Sequence, residues 1–233
     1  ETVETGIEGK RRKIRFLNPD AGLFNLKDPI RLHVSAYGPK SQALTARLGA
    51  AWKTFISDVP GALGALEGMQ GSWAAAGRPA GELYATAWVC GCVLAPDEPA
   101  DSPRAMRQAG PRAAVLLHRA ADLDMEGWQN TSPVPPSVQG SIDGYVEMAR
   151  RFEPADARYL MNHRGHFVFV KPEEQRFVTA ELIRRTTFTA SEQELKQRIE
   201  ALRGAGWSQI VFPITPGEEG AIEDWARIAR AFR

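Results

Sequence analysis

The densest polar cluster in the chain is His163-Arg164-Gly165-His166, with Arg158 and Tyr159 shortly before it. Two of the four histidines lie here. An imidazole titrates near neutral pH, so His163 and His166 are candidate general acid–base catalysts in the wall of a substrate pocket. They could equally be structural histidines in a surface loop, because no carboxylate partner is visible beside them. A second cluster is Ser35-Ala36-Tyr37-Gly38-Pro39-Lys40-Ser41, where a strand is expected to end and a helix to begin. The first turn of a helix presents unpaired N–H groups and the positive end of its dipole, which makes an anion site. Gly38 lets the backbone approach a ligand, Ser41 offers a hydroxyl and Lys40 adds charge. A plain βα turn would look the same.

Other residues are ambiguous. Trp52, Trp88 and Trp207 sit in expected strands. They could line a pocket for a flat ring, or fill layers of the core as such large rings usually do. Cys90 and Cys92 are too close to make a good disulfide and read as small buried residues, in keeping with a reducing compartment. No second Cys/His group stands at zinc spacing, so no metal site is expected. Glu173-Glu174 and Glu218-Glu219 read as solvated acidic faces. No P-loop, G-x-S-x-G or H-E-x-x-H motif occurs.

The elements that must position these groups can be followed along the chain. Residues 1–28 are polar and turn-rich, with a turn at Asn18-Pro19-Asp20, a short extended piece over Ile14, Phe16 and Leu17, and a basic run Lys10–Lys13. Strands are predicted at Ile30–Ala36, Ala51–Ile56, Leu83–Leu94 and Trp207–Ile214. Helices are predicted from Pro39 to a stop at Gly49, over 61–76, 101–123, 142–152, Ser191–Arg203 and 222–232. Ser191 followed by Glu194 forms a capping box. Residues 128–139 read as a loop and 154–178 are mixed. This alternation argues for parallel strands joined by crossover helices. Four such strands are half of a (β/α)8 TIM barrel, in one domain over 1–233, with a helical insertion at about 95–170. The chain opens in a polar stretch at Glu1, read as the loss of an N-terminal half.

A chain of 233 residues with a formal net charge of +1 can bury a sizeable core. It sets up no global field to draw in nucleic acid or an anionic membrane. No apolar run reaches the ~18 residues that span a bilayer, and no signal peptide opens the chain, so a cytoplasmic protein is expected.

The run from Pro29 to Ser41, continued by Ala43–Trp52, resembles the luciferase-like monooxygenase family in its strand, Gly-Pro-Lys turn, Gly-ended helix and following Trp. Arg15–Asp20, His163–His166, Val178-Thr179, Thr186–Thr189 and Ala205–Trp207 resemble, in the same order, the branch of that family with the F420-dependent methylene-tetrahydromethanopterin reductases. The resemblance implies a luciferase-like barrel and a flavin-type oxidoreductase. That would be an FMN-dependent monooxygenase, served by a separate flavin reductase, or a coenzyme F420-dependent reductase or dehydrogenase. Its small organic substrate would be selected partly by the insertion. The resemblance also implies that Tyr37, Gly38 and Ser41, within the Ser35–Ser41 segment, hold the cofactor phosphate, and that the chain forms a homodimer. The alternative is a truncated, non-catalytic flavin-binding or interaction protein.

Overall fold

The computed structural model describes residues 3–7, 10–15, 17–22, 25, 27–28, 30–128 and 134–232. The chain divides into two compact units, residues 1–32 and 33–233. In the first, β1 (Val3–Ile7) and β2 (Lys10–Ile14) form an antiparallel hairpin. The basic run lies on β2, whose residues are all exposed, as a solvated charge run should be. A short 3-10 turn over Pro19–Ala21 follows, closed by Gly22 in the left-handed region. Phe16 lies outside the described residues.

The second unit carries the sheet. Its strands in chain order are β3 (His33–Ser35), β4 (Ala51–Phe55), β5 (Ala85–Trp88), β6 (Val93–Leu94), β7 (Ala190–Ser191) and β8 (Gln209–Val211). The helices are α1 (Pro39–Leu48), α2 (Val59–Ala75), α3 (Pro103–Met125), α4 (Pro136–Ala149), α5 (Arg158–Asn162), α6 (Ala180–Thr186), α7 (Glu192–Ala205) and α8 (Ala221–Arg230). Strands β3, β4, β5 and β8 are parallel neighbours in that order. This is a mixed α/β fold on a parallel sheet, with one strand of that sheet within each of the four stretches expected to form strands.

Local chemistry sets the helix ends. Pro39 opens α1 and Gly49 closes it at φ +61°. Asp58 caps α2 by accepting the Gly61 N–H at 2.6 Å. Ser191 caps α7 by accepting the Glu194 N–H at 3.3 Å, one half of the expected capping box, while the Glu194 carboxylate pairs with Arg198 at 2.5 Å. Helix α3 contains Pro111, whose ring removes the N–H that would bond back to residue 107.

Two cores result. One joins Trp52, Ala85 and Ala87 of the sheet to Leu66 and Met69 of α2, Leu195 and Leu202 of α7, and Ile228 of α8. The other lies among α3, α4 and α6, around Leu117, Tyr145, Leu182 and Ile183. The apolar side chains of α6 are buried in the same core as those of α3.

The long strand expected over Leu83–Leu94 is broken. β5 pairs with β8, whereas β6 pairs with β7. Between them Gly91 runs against the chain at Phe188, where a Cβ would lie 2.1 Å from the Phe188 carbonyl oxygen. An unbroken apolar run hides such a change of partner, since periodicity reports burial and not pairing. Among the described residues no helix is long and apolar enough to cross a membrane.

Candidate functional site

Parallel α/β sheets bind ligands at the C-terminal ends of their strands. A cavity of about 260 Å³ lies there, lined by Phe55 at the end of β4, Trp88 at the end of β5 and Pro213–Pro216 after β8. Gln108, Pro111 and Arg112 of α3 close one side, with Cys90 and Phe167. Phe55 stacks on Trp88 with ring centroids 5.1 Å apart and planes 8° from parallel. Phe167 stacks on Phe55 at 5.4 Å. Phe167 holds φ at +62°, a left-handed conformation costly for a bulky side chain. Such strain concentrates at functional sites.

Two residues of the cavity lining carry buried polar atoms without a partner. The indole Nε1 of Trp88 and the Oε1 of Gln108 are buried without a hydrogen-bond partner. The Gln108 orientation follows from its Nε2, which donates to Glu218 at 3.1 Å. Arg112 is half-buried and donates to Ser57 Oγ at 3.2 Å. Among the described ion pairs it has no carboxylate partner. Burial pushes its guanidinium below the ordinary value, against the opposing pull of Cys90 and Tyr37 nearby. A guanidinium that keeps its charge without a counter-charge calls for an acceptor from outside. Cys90 is not a nucleophile here, because burial pushes its thiol up to about 11. A larger groove of about 690 Å³ runs between α3 and α4, but its Asp124 and Glu147 are already engaged by Arg150.

The segment predicted to grip a phosphate lies at the same end of the sheet, on the turn from β3 into α1. Ser35, Tyr37 and Lys40 are exposed and Gly38 is the N-cap residue. Ala36 is fully buried, and its carbonyl accepts the Trp52 indole N–H at 2.8 Å. Ser41 donates its hydroxyl to the Gly38 carbonyl at 2.9 Å, so that proton is already engaged. The backbone N–H groups of Lys40 and Ser41 open the helix without intrahelical acceptors. A Cβ on Gly38 would meet nothing within 4 Å, leaving room for an anion. Of the three tryptophans in question, Trp88 lines the cavity, whereas Trp52 and Trp207 stack on each other in the core at 5.1 Å.

The two candidate histidines come together and acquire a third that sequence reasoning missed. His118, on α3, is fully buried, and its Nδ1 lies 2.9 Å from His166 Nδ1. His163 Nδ1 lies 3.4 Å from the same atom. The outer nitrogens of two of the rings face carboxylates. His118 Nε2 is 2.7 Å from Glu174, and His163 Nε2 is 3.0 and 3.1 Å from the two oxygens of Asp122. Glu174 is not a solvated acid, as its sequence suggested, but fully buried. It also accepts from the Lys171 backbone N–H at 3.0 Å and pairs with the buried Lys171 ammonium at 2.5 Å, while the Tyr145 hydroxyl is 2.9 Å away. Burial raises its carboxyl, but the His118 and Lys171 bonds outweigh that and hold it below its ordinary value. His166 is pushed down to about 4 by burial and by the neighbouring His118 and His163. It is therefore neutral at pH 7 and not poised as an acid. The i, i+4 pair His118/Asp122 on α3 was the available sequence signal.

No protein-family model matches the chain, and no curated protein matches it by sequence. Solved structures do. An F420-dependent secondary alcohol dehydrogenase in complex with an F420–acetone adduct superposes with a TM-score of 0.52 at 14% identity, over 100% of this chain and 56% of that one. The coenzyme F420-dependent tetrahydromethanopterin reductase of Methanopyrus kandleri gives 0.46 at 18% identity, over 83% and 48%. A type II Baeyer–Villiger monooxygenase component of Pseudomonas putida, in complex with FMN, gives 0.39 at 13%, over 96% and 55%. The chain thus spans about half the length of the solved structures it matches.

Proposed function

We propose, from a fold shared with luciferase-like proteins, that this chain contributes to a flavin-type oxidoreductase by holding FMN or coenzyme F420 at the C-terminal end of its sheet. The observation that carries the reading is the cavity between Phe55, Trp88, Gln108 and Arg112, with one unpaired buried donor, one unpaired buried acceptor and a guanidinium lacking a counter-charge. A flavin-type ring is flat, apolar on its faces and edged with both donors and acceptors, which matches that wall. The cavity is slightly smaller than the ~300 Å³ at which whole-ligand pockets begin, so it suits a ring and not the entire cofactor.

In this reading Trp88 Nε1 donates to an edge acceptor of the ring and Gln108 Oε1 accepts from an edge N–H. Arg112 stabilises negative charge at the ring edge. Phe55 and Phe167 exclude water from its face. The Lys40 and Ser41 N–H groups would hold the phosphate, with the Lys40 ammonium as counter-charge. When bound, the cofactor supplies the redox chemistry, and the protein supplies position, electrostatics and dryness.

The experiment is a fluorescence titration of the chain with FMN and with F420, in wild type and in Arg112→Ala. Saturable binding of one cofactor, weakened about tenfold or more in the variant, supports the reading, since a charge-assisted hydrogen bond contributes about 1.5–3 kcal/mol. Binding of neither cofactor, or equal binding by both proteins, overturns it.

A further inference from the structure

We propose that His118, His163 and His166 form a binding site for a divalent transition-metal ion of the zinc type. The buried Glu174 carboxylate, held by the Lys171 ammonium, lies 2.7 Å from His118 Nε2, which is placed to donate to it. In the neutral imidazole with that proton, Nδ1 is a bare lone pair. His163 faces both oxygens of Asp122 through Nε2, and in the neutral tautomer that donates there its Nδ1 is a lone pair too. Both lone pairs are aimed at His166 Nδ1, 2.9 and 3.4 Å away. One N–H on His166 can satisfy one of them well and leaves the other facing it across a contact too long for a good hydrogen bond. A cation among the three nitrogens satisfies all of them at once.

The dimensions agree. One ring nitrogen from each histidine lies within 4.8 Å of the other two. A tetrahedral ion bound to imidazole at ~2.0–2.1 Å holds its ligand atoms about 3.3 Å apart. The outer contacts follow the pattern that orients metal-bound histidines, in which the far ring nitrogen donates to a carboxylate. Asn162 fixes Asp122 by donating to it at 2.7 Å, and Lys171 fixes Glu174. Imidazole nitrogens select zinc, cobalt, nickel or copper over magnesium and calcium. Three ligands leave a fourth position, and a groove lined by Asp122, Arg158 and Tyr159 borders His163. This site is separate from the cofactor cavity, and its existence does not depend on the flavin reading.

The test uses the full chain without a histidine tag, stripped by chelator and titrated with Co²⁺ and then Zn²⁺. Cobalt is followed by its visible absorbance and total metal by elemental mass spectrometry. The expected result is one equivalent per chain, unchanged in His33→Ala, which removes the histidine outside the cluster. His166→Ala and His163→Ala lower affinity at least 100-fold, and Asp122→Asn lowers it about 10–100-fold by releasing the His163 ring. His163 is largely exposed, so its replacement reports on binding in a folded chain. Failure of wild type to take up either metal, or equal uptake by His163→Ala and His166→Ala, overturns the proposal.

Discussion

Helix α3 serves two sites of opposite character. Its first half gives Gln108 and Arg112 to the cavity, and its second half gives His118 and Asp122 to the histidine cluster. In the cavity lining, Trp88 and Gln108 each carry a buried polar atom that lacks a partner. In the cluster, Glu174 and Asp122 are each engaged by two or more donors, and the Nδ1 atoms of the three rings face one another. The first arrangement suits a ligand that brings its own donors and acceptors. The second suits something that brings only positive charge. The two meet at residue 167, whose ring stacks on Phe55 on one side and lies 4.9 Å from His166 on the other.

The comparison can be broken most forcefully from the cluster side. Lys171→Met leaves Glu174 buried without its cation and should cost about 3–5 kcal/mol in urea unfolding. A loss below 1 kcal/mol would mean that the carboxylate is not buried as described. Gly91→Ala acts at the change of strand partner between the two sites. Its Cβ meets backbone and not a movable side chain, so a loss of about 1–3 kcal/mol or more is expected in the same assay. Phe167→Gly separates stability from binding. Relief of left-handed strain, about 1–2 kcal/mol, offsets a lost ring contact of about 0.5–1.5 kcal/mol. Thermal unfolding should move little while cofactor affinity falls several-fold.

The smallest effect is a pH dependence at the start of the shared helix. Arg104 bonds to Glu98 and holds its carboxyl at about 2, below the ordinary 4.5. Because the folded value is depressed, this stabilisation is fully present above pH 4.5 and is lost as pH falls toward 2. Arg104→Leu should flatten the fall in urea midpoint over that window while leaving the slope above pH 5 unchanged.

Much of the frame was legible in the sequence. Pro39, Gly49, Ser191 and Glu194 mark helix ends through local backbone chemistry, and the structure uses them so. The parallel strands followed from alternation. The sites were only half legible, because their residues are assembled by packing. His118 lies 45 positions before His163, and no spacing rule joins them. Arg112 and Gln108 read as ordinary polar positions on a helix, and only the course of α3 past Trp88 makes them cavity walls. Trp52, Trp88 and Trp207 look alike as strand tryptophans. Their roles differ because Trp88 sits at a strand end, whereas the indole N–H of Trp52 finds the Ala36 carbonyl.

The most direct test is the indole ¹H–¹⁵N resonance of Trp88, assigned by its absence in Trp88→Phe and followed as FMN or F420 is added. The resonance should move as its unpaired N–H acquires an acceptor, while that of Trp52, already bonded to Ala36, stays in place. A Trp88 resonance that does not move at cofactor saturation would contradict the assignment of this cavity to the cofactor.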